Sequence, residues 1–170
     1  PELLEEVSTL NRVAEVAKRY YRRSNSEILV VADEVSCDYP TFRSDMLMHN
    51  LYKPQPHFVK VGAPADHVLV DDLELLDTRP YKLVIVLNAF HLTDEQRELV
   101  RAKLANSGRT VLWIYAPGLF NGNTRSVEAM QELTGLNIVP DEDPSLVVPA
   151  IEWADGGHPL LEALRSHGGQ

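Results

Sequence analysis

Polar residues that could do chemistry stand directly after the short apolar segments of this sequence. They are Asp33 and Glu34 after EILVVA, Asp71 and Asp72 after HVLV, and Asn88 after KLVIVL. Paired carboxylates can bind Mg²⁺ beside an aspartate that accepts a phosphoryl group, but the amide of Asn88 cannot take that role. Paired carboxylates can also cleave a glycosidic bond when they lie about 5 to 9 Å apart in a cleft. Acids at strand ends also serve solubility and capping, so we assign no catalysis to them.

A fourth apolar segment, TVLWIYAP at residues 110–117, runs into a glycine-bearing turn. Enzymes with a strand-to-helix elbow place a nucleophilic serine or cysteine on such a turn, with a histidine as its partner. The turn here holds Ala116, Pro117 and Gly118, none of which can attack a substrate. Cys37, the single cysteine, follows the first segment instead, and we interpret it as structural. We therefore predict no catalytic residue in this chain.

Motifs that bind cofactors or metals are also missing from the sequence. The stretch ADEVSCDYPTFRS after the first segment has no glycine, and its acids would repel a phosphate, so neither a flavin nor a dinucleotide is predicted. The six histidines are scattered without ligand spacing, so no metal site is predicted. We interpret His91, near a strand end, as a loop or packing residue.

Composition narrows the partners that this chain can have. The 170 residues suit one domain, and a net charge of −9 argues against nucleic acid and against anionic membranes. No apolar run approaches 18 residues, so no membrane span is predicted. A single cysteine fits a reducing compartment, so we expect a cytoplasmic rather than a secreted protein. The first residue is Pro1 rather than methionine, from which we expect a piece of a longer protein.

Apolar periodicity predicts strands that alternate with helices. A first amphipathic helix covers residues 1–22 and a short linker follows. The predicted strands are 27–33, 67–72, 82–89 and 110–117. The predicted later helices are TFRSDMLMHNLY, LTDEQRELVRAKLANSG and RSVEAMQELTGL, followed by the strand-like pieces NIVP and LVVPAIEW and a last helix HPLLEALRSHG. In the second of these helices Thr93 and Gln96 form a predicted capping box, with Gly108 after its end.

This alternation predicts an α/β fold: a flavodoxin-like, doubly wound, mostly parallel sheet with helices on both faces. Ligands of such sheets bind beyond the carboxyl ends of the strands. We divide the chain into the helix at 1–23 and the α/β domain at 24–170.

Four stretches resemble one known family, the middle domain of family 42 glycoside hydrolases of the β-galactosidase type. They are RRSNSEILVVADEVS, KVGAPADHVLVDDL, PYKLVIVLNAFHLTDEQRELVRAKL and GRTVLWIYAPGLFNG, and the resemblance covers about residues 24–140. That domain is called the trimerisation domain. Its fold is similar to class I glutamine amidotransferases but has no nucleophilic cysteine.

The resemblance implies an accessory role in carbohydrate metabolism. The family's catalytic carboxylates lie on a TIM barrel that precedes this domain, so residues 1–23 would be the connection from that barrel. The partners implied are the barrel of the same chain and two further copies in a homotrimer. The domain would then border the substrate entrance of a neighbouring subunit. The candidate cleft or interface residues at the predicted strand ends are Asp33, Glu34, Asn88, Phe90 and Tyr115.

Two alternatives stay open from the residues. A free-standing small α/β hydrolase or ligand-binding protein would use a cleft at the strand ends, with groups whose pKa is shifted. A regulatory domain of the phosphate-receiver type would need an aspartate in place of Asn88.

Overall fold

The structure is a computed structural model, and it describes residues 2–20, 24–40, 44–105 and 108–139. The predicted pieces LVVPAIEW and HPLLEALRSHG lie outside the described residues. So does Pro140 at the end of NIVP, while Asn137 to Val139 are described and form no strand.

A four-stranded parallel sheet forms the centre of the described chain. Its strands are β1 (Ile28–Ala32), β2 (Ala65–Leu69), β3 (Leu83–Val86) and β4 (Thr110–Trp113), in the order β2-β1-β3-β4. Val30 of β1 lies opposite His67 of β2 and Ile85 of β3, which in turn lies opposite Leu112 of β4. All four predicted strands are thus present, and the mostly parallel α/β fold is confirmed.

Both faces of the central strands β1 and β3 are covered, which explains why these two strands read as continuous apolar runs, whereas the edge strands β2 and β4 are partly exposed. The helices and the 3₁₀ turn are α1 (Glu2–Tyr20), α2 (Val35–Asp38), α3 (Asp45–Leu47), α4 (Gln55–Lys60), the turn Asp71–Glu74, α5 (Asp94–Leu104) and α6 (Val127–Thr134). On one face Leu29 and Val84 pack with Val100 and Leu104 of α5. On the other, Ile85 packs with apolar side chains that precede β2. Each fully buried aliphatic side chain contributes about 1.5 to 3 kcal/mol.

Helix α5 begins with the predicted capping box. Thr93 Oγ1 accepts a hydrogen bond from the Gln96 backbone N–H at 3.2 Å, and the Gln96 side-chain oxygen accepts from the Thr93 N–H at 3.1 Å. The helix ends at Leu104, earlier than predicted, so the assignment of Gly108 as the residue after its end was wrong. Gly108 has a φ of 69° and stands instead just before β4.

The segment between β1 and β2 differs from the prediction of a single helix over TFRSDMLMHNLY. The structure has α3, then a π-helical turn at Met48–Tyr52, and then the unpredicted helix α4. The stretch KPQP, interpreted as a stop, opens α4, because Pro54 and Pro56 lie at its start, where a missing backbone N–H costs no helical hydrogen bond.

Helix α1 presents all its described side chains, from Leu3 to Tyr20, to solvent, including apolar ones such as Leu10, which is 67% exposed. No described helix has the length and apolar content needed to cross a membrane. The chain that follows α1 is attached to the sheet through Asp66, which accepts hydrogen bonds from Ser26 Oγ at 3.0 Å and from the Tyr81 hydroxyl at 2.7 Å.

A short antiparallel hairpin, β5 (Phe120–Asn121) and β6 (Thr124–Arg125), follows β4 and was not predicted. Its signal in the sequence is the dipeptide Gly122-Asn123, which forms the two-residue connection between the paired Asn121 and Thr124. Gly122 supplies the positive φ of 57° that such a connection requires.

Candidate functional site

The carboxyl ends of the parallel strands bring three of the sequence-predicted residues together below the surface. Asp33, Asn88 and Phe90 follow β1 and β3 and are 1%, 2% and 3% exposed. Glu34 and Tyr115, which follow β1 and β4, are exposed. Of the five candidates, these two therefore have side chains that can contact another molecule directly.

Asn88 joins the ends of β1 and β3 as a strand backbone would. Its Oδ1 accepts from the Asp33 backbone N–H at 2.8 Å, and its Nδ2 donates to the Asp33 carbonyl oxygen at 2.7 Å. Both contacts are buried, so they are strong and costly to leave unpaired. Asn88 is thus a structural clamp that shapes the strand-end surface from beneath.

The Asp33 carboxylate is buried against the start of α2. Its Oδ2 accepts from the Ser36 backbone N–H at 2.6 Å, and its Oδ1 lies 3.5 Å from Gln96 Nε2. Gln96 Nε2 also donates to Asp71 Oδ1 at 2.9 Å, which places a second acid close by. Burial raises the pKa of Asp33, and the charge of Asp71 adds to this, while the hydrogen bonds from Ser36 lower it.

Cys37 lies beside Asp33 and Asn88, in surroundings that do not favour its reactive thiolate form. Its Sγ is 3.4 Å from the Asp33 carbonyl oxygen and accepts from Asn88 Nδ2 at 3.3 Å. Burial raises the pKa of the thiol, and the nearby Asp33 charge raises it further. Since the thiolate is the nucleophile, this environment disfavours attack.

His91, which the sequence suggested was a loop or packing residue, contacts three other residues through hydrogen-bonding groups. Its backbone N–H donates to Ser36 Oγ at 2.9 Å, and Nε2 lies 3.0 Å from the Gly122 carbonyl oxygen and within hydrogen-bond reach of the Tyr39 hydroxyl. Nδ1 is buried and has no hydrogen-bond partner among the described residues. His91 therefore connects α2 to the hairpin.

An aromatic cluster surrounds the buried Phe90. The rings of Tyr39, Tyr115 and Phe120 lie edge-on to Phe90 with centroids 6.0 to 6.5 Å apart, and Tyr39 stacks on His91 at 3.9 Å. Such edge-to-face contacts stabilise a cluster beyond the area that it buries. Tyr39 is a contact residue that the sequence did not predict, because nothing in its local pattern indicates the fold-back of α2 onto Phe90.

The turn after β4 holds its strained residue one position before the predicted elbow. Tyr115 has a φ of 64°, the left-handed region that a bulky side chain rarely adopts. The turn therefore includes Tyr115 as well as the Ala116–Gly118 stretch, in which Gly118 also has a positive φ of 67°, and Tyr115 is 52% exposed. Strain of this kind persists only where the surrounding structure enforces it, and it is often found at functional positions.

Arg97 of α5 provides that enforcement. It is 8% exposed, and its Nη2 donates to the carbonyl oxygens of Gly118 at 2.8 Å and Phe120 at 2.7 Å. Burial lowers the pKa of Arg97, and its Nε has no partner among the described residues. This buried cation thus binds the backbone immediately after the strained turn.

Two shallow depressions lie elsewhere, along the edge strand β2. One of about 210 Å³ is lined by Gln55, His67 and Asp72 among others, and a second of about 350 Å³ lies between Phe58 and Ala65. Neither is lined by Asp33 or the aromatic cluster. Among the described residues, no three His, Cys, Asp or Glu side chains converge as metal ligands would.

The chain matches no protein-family model. It also matches no curated protein. Among solved structures it is similar to the β-galactosidase from Bifidobacterium adolescentis, with a TM-score of 0.43 and 21% sequence identity. The match covers 58% of this chain and 43% of that chain, so the present chain corresponds to less than half of that protein.

Proposed function

We propose that this chain is a non-catalytic accessory domain of a larger, β-galactosidase-like glycoside hydrolase, of the type that family 42 enzymes use for trimerisation. Its role is to hold catalytic barrels together and to border their substrate entrances. In this proposal residues 1–23 connect it to a preceding barrel and residues 24–170 form the assembly domain. The exposed apolar side chains of α1 support the first of these roles, because they are available to pack against a domain outside this chain.

The observation that carries the proposal is the identity of the elbow residue. Where an enzyme of this architecture would present a serine or cysteine, the chain presents Tyr115, whose ring lies edge-to-face with Phe90 at 6.0 Å. The one thiol, Cys37, lies in α2 rather than on that turn, and burial raises its pKa. The buried strand-end polar groups of Asp33 and Asn88 are likewise engaged in hydrogen bonds that stabilise the fold.

Activity measurements separate this proposal from a free-standing hydrolase. Residues 1–170 are assayed with nitrophenyl β-galactoside and with glutamine, beside the full parent polypeptide. We expect turnover of the galactoside by the full polypeptide only, and no turnover of glutamine by either. Turnover by residues 1–170 that is lost in Tyr115→Phe or Cys37→Ser would contradict the proposal, because it would place a reaction on this domain.

A further inference from the structure

Two half-exposed tyrosines flank the buried Phe90 at the carboxyl end of the sheet. Tyr39 is 48% exposed and Tyr115 is 52% exposed, whereas Phe90 is 3% exposed. Both tyrosine rings lie within 6.5 Å of Phe90, centroid to centroid. We call this set, with Phe120 beside it, the tyrosine surface. Tyrosine is enriched at protein interfaces, because it supplies a large contact area and a polar tip at a small cost in conformational entropy.

The tyrosine surface is fixed in position before any partner arrives. The N–H of Gly118 donates to the Ala89 carbonyl oxygen at 2.7 Å, and that of Phe120 donates to the Phe90 carbonyl oxygen at 2.8 Å. Arg97 binds the same stretch from inside. The left-handed conformation of Tyr115 is thus maintained by the fold, so binding a partner would cost little conformational entropy in this loop.

Two exposed carboxylates stand at the two ends of α2, the helix that leads into Tyr39. Glu34 precedes α2 and Asp38 ends it, next to Tyr39, and both are exposed. The four ion pairs between described side chains use Glu15, Asp77, Glu27 and Glu98, so Glu34 and Asp38 take part in none of them. On the hairpin side one cation, Arg125, lies across from Phe120. The two described carboxylates of this region are therefore exposed and take part in no ion pair between described side chains.

We propose that the tyrosine surface binds a protein segment that presents arginine side chains. A guanidinium group stacks on an exposed tyrosine ring and also forms paired hydrogen bonds with a carboxylate, whereas the ammonium group of lysine makes neither contact as well. Tyr115 is half-exposed and its ring meets Phe90 edge-to-face, so it offers a ring for stacking. Glu34 and Asp38 are exposed and take part in none of the ion pairs between described side chains, so they offer the carboxylates. This inference goes beyond the proposed function, since it applies whether or not the parent cleaves sugars.

A titration of the whole chain with model peptides tests the proposal. The ¹⁵N-labelled protein is titrated, at physiological salt, with eight-residue peptides that alternate glycine with arginine, lysine or glutamate. We expect saturable shifts of the backbone signals of Glu34, Tyr39 and Tyr115 with the arginine peptide. We expect about two- to fivefold weaker binding of the lysine peptide, and no binding of the glutamate peptide.

Two variants identify the groups responsible. Tyr115→Asn removes the ring but keeps a residue that tolerates the left-handed conformation, and we expect it to weaken binding of the arginine peptide about two- to fivefold. Glu34→Gln removes an exposed carboxylate charge without touching the strained turn, and should weaken binding as well. Tyr52→Ala, at a tyrosine that is 55% exposed on the π-helical turn, is the matched control and should change nothing.

Equal affinity for the arginine and lysine peptides would overturn the proposal, because net charge alone would then explain binding. Unchanged affinity in both Tyr115→Asn and Glu34→Gln would overturn it too. A titration with galactose and lactose distinguishes a different class of ligand. Shifts of the same three residues with a neutral sugar, and none with the arginine peptide, would replace the protein partner with a saccharide.

Discussion

Asp33 is 1% exposed, so its carboxylate is almost wholly removed from water and its negative charge is poorly solvated. Burial raises its pKa above the value of about 3.8 that an exposed aspartate has. A carboxyl group whose pKa is higher in the folded state binds its proton more tightly there. The charged form of Asp33 therefore lowers the free energy of unfolding at neutral pH, and this penalty disappears as the pH falls below about 4.

Asp33→Asn should accordingly stabilise the protein at pH 7. The amide keeps an oxygen that can accept from the Ser36 N–H but carries no charge to desolvate. We expect a gain of about 0.5 to 2 kcal/mol at pH 7, measured by chemical denaturation, and a gain that shrinks as the pH is lowered towards 4. Glu34→Gln, at the exposed neighbour, is the control and should leave stability unchanged. A loss of stability in Asp33→Asn at pH 7 would show that the charge itself is needed for folding.

Alanine variants of Gly118 and Gly122 distinguish the cost of a strained backbone from the cost of a steric clash. Both have positive φ, at 67° and 57°, but a methyl group on Gly118 would lie 2.8 Å from Arg97 Nη1 and from Leu133 Cδ2, whereas one on Gly122 would meet nothing within 4 Å. Gly122→Ala should cost about 1 to 2 kcal/mol from the left-handed conformation alone. Gly118→Ala should cost about 1 to 3 kcal/mol more, because Arg97 must move from its carbonyl partners. Equal losses of stability in denaturant unfolding would contradict the hydrogen bonds from Arg97 as the source of the additional cost.

At the scale of elements, α5 connects the core to the strand-end surface. Its first turn carries the capping box and the Gln96 contacts to Asp33 and Asp71, and its second turn carries Arg97. The same helix buries Val100 and Leu104 against the sheet. A change at its start therefore reaches both the stability of the domain and the geometry beneath Tyr115.

Thr93→Ala should remove the cap at the start of α5. We expect a loss of about 0.5 to 2 kcal/mol in the free energy of unfolding, because the Gln96 N–H loses its acceptor. Thr93→Ser keeps the hydroxyl and should retain most of the stability. If the alanine and serine variants unfolded at the same denaturant concentration, the hydroxyl would not be the stabilising group.

The elements that could be predicted from sequence are those with local, periodic signals. The four strands are continuous apolar runs, and α5 and α6 have both apolar spacing and terminal signals, such as Ser126 before α6 and Gly135 with a φ of 71° after it. The segment before β2 was less predictable, because Pro54 reads as a stop when taken alone and as a helix start only in context. The hairpin after β4 was missed because each of its strands has two residues.

The candidate site was predictable in position but not in detail. Strand order places the loops after β1 and β3 side by side, so Asp33 and Asn88 could be expected to meet. The contacts of Asn88 with Asp33 and of Tyr39 with Phe90 join residues more than 50 positions apart in the chain. No pattern within one segment reports such contacts.

At the scale of the whole molecule, several exposed features are of the kind that bind other proteins. The chain has a net charge of −9, the tyrosine surface at its strand ends and, in α1, an amphipathic helix whose described side chains are all exposed. An accessory domain that holds larger subunits together needs contact surfaces more than it needs a cleft. We therefore propose that this chain is able to assemble without the rest of the parent protein.

The absolute molar mass in solution tests that claim most directly. Light scattering after size exclusion, across a wide range of loading concentrations, should give three times the chain mass of 19.1 kDa at the upper concentrations and fall towards 19.1 kDa on dilution. A mass of 19.1 kDa at every concentration would contradict assembly by this chain. The strand-end surface would then be the place to look for a ligand instead of a partner copy.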